Sequence, residues 1–76
     1  MTEFLVVYDY GQGGVWAVVR AKSPADVHAQ FPELTVVGHR PDWMSDRGLE
    51  QLRAAVLDVQ QPTGLLSDIM RDRKNE

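Results

Sequence analysis

The segment Tyr8-Asp9-Tyr10-Gly11-Gln12-Gly13-Gly14-Val15-Trp16 restricts the fold of this chain more than any other stretch. On its N-terminal side Phe4, Val6, Tyr8 and Tyr10 alternate with Leu5, Val7 and Asp9. On its C-terminal side Val15, Ala17, Val19 and Ala21 alternate with Trp16, Val18 and Arg20. A period of two with β-branched and aromatic residues marks strands. The glycines between them supply the positive φ values of a tight or bulged hairpin turn. They do not read as a phosphate cradle, which follows a strand and opens a helix. Here they lead into a second strand, and no Lys-Ser or Lys-Thr pair follows.

The rest of the chain supplies helices and one more strand. Ser23-Pro24-Ala25-Asp26 is a helix start, with Ser23 as cap, Pro24 at the first helical position and Asp26 at the capping-box position. Pro32 ends that helix near Phe31. Leu34 to Val37 reads as a third strand, stopped by Gly38, and His39 to Asp42 as a loop. A second helix, capped by Ser45 or Asp46, carries the stripe Leu49, Leu52, Val56 and Val59, with Met44 placed to staple against Leu49. Pro62 and Gly64 break the pattern. Thr63 is placed to cap a last helix bearing Leu65, Leu66, Ile69 and Met70, and residues 71–76 read as a frayed tail. The pattern predicts an α+β fold of order β-β-α-β-α-α as a single domain over residues 1–76. Its three-stranded sheet has the order 2-1-3, which centres the most apolar strand, and its helices pack on one face.

A chain of 76 residues buries only roughly 60–65% of its unfolded surface. It has no cysteine to reinforce it or to act as nucleophile or metal ligand. The absence of cysteine fits a reducing compartment, and no apolar run approaches the roughly 20 residues of a membrane span. A soluble, cytoplasmic protein is the expectation. The net charge is −3, with four acids and two bases in residues 1–38 and seven acids and six bases in residues 39–76. A nucleic-acid binder would carry a basic stripe. The only basic cluster, Arg71, Arg73 and Lys74, is interrupted by Asp72 and suits the C-terminal end of a helix.

No residue pattern assembles a reaction centre. His28 and His39 are the only histidines, and they lack the HxH, HxxxH or HExxH spacing of a metal site. His39 with Asp42 could act as base and orienter, but Ser45 is better placed as a helix cap than as a nucleophile. Asp42 with Asp46, and Asp68 with Asp72, read as helix-start acids and a solvated helix face. No catalytic residue, cofactor or metal ligand is assigned, and the chain reads as a binding protein rather than an enzyme.

Binding has firmer support. With helices on one face of three strands, the other face keeps a row of large apolar side chains, which a monomer seldom leaves in water. Tyr8, Tyr10, Trp16, Arg40 and Trp43 are the candidate contact residues, since Trp, Tyr and Arg dominate interface hot spots. A tryptophan between a strand and a helix can also simply plug the end of the core, and Arg40 can pair with Asp42 across Pro41. The partner would be a second copy, giving a homodimer, or another protein that the chain binds or inhibits. The alternative is a small-molecule or nucleotide-binding accessory protein, with a pocket between the hairpin tip and the His39–Trp43 loop lined by Tyr10, His39, Asp42 and Trp43.

The combination of Tyr8-Asp9-Tyr10-Gly11-x-Gly13-Gly14-Val15-Trp16, Phe31-Pro32-Glu33-Leu34, Arg40-Pro41-Asp42-Trp43-Met44 and Gly64-Leu65-Leu66-x-Asp68-Ile69 resembles a group of small uncharacterised proteins of high-GC bacteria. The resemblance spans Phe4 to Arg71. It implies a bacterial cytosolic origin, and it brings no activity and no functional residue to this chain.

Overall fold

A computed structural model describes residues 2–9 and 14–74 of the chain. The elements are β1 (Thr2–Asp9), β2 (Gly14–Ala21), α1 (Pro24–Gln30), β3 (Leu34–Val37), α2 (Asp46–Ala54), β4 (Leu57–Asp58) and α3 (Leu65–Lys74). β1 pairs antiparallel with both β2 and β3, so the central order is the expected β2-β1-β3. The sheet has four strands rather than three, in the order β3-β1-β2-β4. The extra strand runs parallel to β2, with Leu57 beside Val19 and Asp58 beside Arg20. The Val59 amide donates to the Arg20 carbonyl at 3.2 Å.

The ladder register sorts the side chains. Val6 lies opposite Ala17 and Val36, and Phe4 opposite Val19, so these residues with Tyr8, Ala21 and Leu34 share one face. Val27 and Phe31 of α1 and Leu66 and Ile69 of α3 pack on that face, together with Val59. Val6, Val19, Val27 and Leu66 have no exposed surface. Each such side chain contributes about 1.5–3 kcal/mol on leaving water.

The opposite face carries Leu5, Val7, Trp16, Val18, Thr35 and Val37, and α2 lies over it. Val18 is 3% exposed. Leu49 and Arg53 border a cavity with Leu5, Val18 and Val37, and Met44 and Leu52 border another with Trp16. The expectation that all helices share one face is therefore corrected. α1 and α3 already fill the first face, and the connection from edge strand β3 passes round the sheet to place α2 on the second. The face expected to be bare is covered over Val18, while Leu5, Val7, Trp16 and Val37 remain half-buried.

Local chemistry sets the helix ends. The Ser23 hydroxyl accepts from the Asp26 amide at 3.1 Å, and Asp26 accepts in return from the Lys22 amide at 3.1 Å. The box thus closes one residue upstream of the cap. The hydrogen bond from Lys22, with a second from Gln30, holds the Asp26 carboxyl below the ordinary aspartate range. Ser45 caps α2 by accepting from the Gly48 amide at 3.0 Å. Gly64, with φ of 53°, turns the chain into α3, where Thr63 contributes its carbonyl to the Leu66 amide. α3 continues through Lys74, and Arg73 bonds Glu33, so Arg71 to Lys74 are helical rather than frayed. No helix among the described residues is long and apolar enough to cross a membrane.

Candidate interaction site

Trp43 follows the turn at Pro41, whose carbonyl accepts from the Met44 amide at 3.0 Å. That turn sends adjacent side chains in opposite directions. Met44 goes inward and is 7% exposed, while Trp43 goes outward and is 68% exposed. The methionine side chain is buried beneath the groove beside Trp16, and the tryptophan is not. Trp43 instead packs edge-to-face with Trp16, with ring centroids 5.3 Å apart and planes at 80°. This is the edge-to-face geometry that aromatic quadrupoles favour. Trp16 reaches this place because the β2 alternation turns it to the face opposite Ala17, beside Val7 on β1.

The two rings wall a groove of about 310 Å³, completed by Met44, Ser45, Gly48 and Leu52. Gly48 and Leu52 are one helical turn apart, so both turn toward the sheet. Gly48 contributes no side chain, and a Cβ there would lie 3.4 Å from Ser45 Oγ and 3.8 Å from Met44 Cγ. A side chain at this position would therefore meet the groove's own wall. Apart from the Ser45 hydroxyl, no lining side chain is polar except the indole N–H groups.

The remaining candidate residues separate from this pair. Arg40 bonds Asp46 in the first turn of α2, not Asp42, and that bond holds the Asp46 carboxyl below its ordinary value. Tyr8 lies on the other sheet face, packed against the core of α1 and α3. Tyr10 and the glycine turn through Gly13 lie outside the described residues. Gly48, Leu52 and Met44 were not singled out as contact residues. The signal for them was a glycine in the first turn of α2, just before the amphipathic stripe, which by itself reads only as a weak helix position.

A second cavity, of about 230 Å³, opens on the far side of α2. Leu5, Val18, Val37 and Leu49 form its apolar part, with Glu3, His39, Arg40 and Arg53 around it. Glu3 also lies 3.7 Å from Arg20 across the β1–β2 ladder. His39 and Trp43 thus line different cavities, and Asp42 lines neither. Among the described residues, no group of three or more His, Cys, Asp or Glu is placed to hold a metal ion.

No protein-family model, curated protein or solved structure matches this chain, so the reading of its surface rests on its own residues.

Proposed function

We propose that this chain is a small protein–protein interaction module that binds a second copy of itself or another protein through the groove between Trp16 and Trp43. The exposure of Trp43 carries this reading. A ring left 68% in water stands to gain about 3 kcal/mol when a partner covers it. Its edge-to-face contact with Trp16 holds it in one orientation beforehand, which lowers the entropy lost on binding. Arg40 lies beside the other cavity and serves this surface only through its bond to Asp46, at the start of the helix that follows the Trp43 loop.

Trp43→Ala tests the proposal. The side chain is mostly outside the fold, so stability should fall by less than about 1 kcal/mol in urea titration. Association, by sedimentation of the purified protein or capture from its source cell, should be lost. A variant that unfolds far more easily would make Trp43 a structural plug, and one that associates unchanged would remove the groove from the contact surface.

The cavity beside Arg40 and Arg53 supports the second reading, a small-molecule or nucleotide-binding accessory protein. Its apolar floor and its rim of Arg40 and Arg53, offset by Glu3, suit a small ligand with an apolar body and an anionic group. A thermal-shift panel of nucleotides and small carboxylates checks it, and a flat response across the panel rejects it.

A further inference from the structure

We infer that the occupant of the groove is Trp43 of a second copy of this chain, exchanged reciprocally across a two-fold axis. This rests on the interaction reading above and names its partner. Knob and hole share one surface, since Trp43 is 68% exposed and forms a wall of the groove that Trp16, Met44, Gly48 and Leu52 complete. A two-fold operator sets such a patch against itself, so each copy's projection meets the other's recess. At about 310 Å³ the recess has room for an indole ring. Gly48 lies in α2 without positive φ, which among the described residues only Gly64 has. The backbone therefore does not demand glycine at this position, and its effect is to keep the recess open.

Charge agrees with this pairing. Asp42 precedes the knob and Arg47 precedes Gly48; both are exposed, and neither forms an ion pair among the described residues. Seating Trp43 beside Gly48 of the second copy brings Asp42 toward Arg47 of the second copy, and the symmetry makes this pair twice. Stable interfaces cover about 800 Å² per partner, against a total surface of 5161 Å² here. A footprint of that size extends beyond the rings, and the residues next in line on that sheet face are Val7, the ladder partner of Trp16, and the exposed Thr35 opposite Val7 on β3.

Sedimentation velocity of the full chain from about 1 μM to about 1 mM should show a monomer–dimer equilibrium. Trp43→Ala, which removes the knob, and Gly48→Leu, which fills the hole, should each weaken it at least about tenfold. Asp42→Arg and Arg47→Asp should each be monomeric alone, because each opposes like charges twice. Mixed in equal amounts they should form a heterodimer, because every pair is then matched. These two sites are on the surface, so this arm stands even if a groove variant fails to fold. A wild-type chain that stays monomeric throughout overturns the second copy as occupant and leaves a different protein as the partner of the groove. A dimer indifferent to Trp43→Ala and Gly48→Leu overturns the groove itself as the contact. A dimer that loses strength with both of those variants, but whose charge variants do not pair on mixing, overturns the reciprocal register.

Discussion

Arg73 ties the end of α3 to the turn between α1 and β3. Its guanidinium bonds the Glu33 carboxylate through Nε and Nη2, donates to the Gln30 carbonyl at 3.0 Å and lies 5.3 Å from the Phe31 ring centre. The hydrogen bond from Arg73 holds the Glu33 carboxyl below its ordinary value. A carboxyl whose folded pKa is lowered adds stability above its unfolded value, about 4.3 for Glu. That stability is lost as pH falls through the folded value. The side chains are 39% and 27% exposed, so water screens the pair. Arg73→Ala should cost about 1 kcal/mol at pH 7, and the gap to the parent chain should narrow below about pH 4. Urea titrations at pH 7 and pH 3 measure both. Nothing in the sequence announced this clamp, because its members are 40 residues apart. The same holds for Trp43 and Met44. Both are large and apolar, and only the turn at Pro41 decides which one enters the core.

The elements with local signals were legible, and those made by distant contacts were not. Ser23-Pro24 and Ser45 mark helix starts through bonds that span three residues, so the sequence alone carries them. Ser23→Ala should lower stability by about 1 kcal/mol, read in chemical denaturation, because α1 has only seven residues to absorb the loss. The stripe Leu49, Leu52, Val56 and Val59 suggested one longer helix, yet α2 ends at Ala54. Val56 and Val59 lie beyond it on either side of β4, whose parallel partner β2 comes from the other half of the chain. A two-residue strand has no periodicity to read. The sheet order was readable because placing the most apolar strand centrally buries it best. Which face each helix would take was not, since both faces of β1 and β2 are apolar.

Seen whole, the molecule stacks helix, sheet and helix, which is how a chain of this size covers both greasy sides of a short sheet. The covering over α2 is thinner than the one over α1 and α3: α2 contributes no fully buried residue, whereas α3 contributes Leu66 and Ile69. The contact pair Trp16 and Trp43 sits at the rim of that thinner layer. Of the five candidate contact residues, strand alternation set Trp16 and Tyr8 on opposite faces, but it could not show that the core of α1 and α3 would occupy the Tyr8 side. If two copies join through this layer, dimerisation stabilises the folded state by mass action. The melting temperature should then rise by a few degrees on raising protein concentration a hundredfold, and the Trp43→Ala chain should melt at one temperature throughout, as scanning calorimetry would record.

Among the described residues, the parallel seam between β2 and β4 is the only backbone ladder that fastens residues 57–74 to the hairpin. Beyond that seam the segment is held by side chains: Val59, Leu66 and Ile69 are buried with Val6, Val27 and Phe31, and Arg73 bonds Glu33. The last quarter of the chain is thus fastened by side-chain packing and one charged clamp more than by backbone pairing.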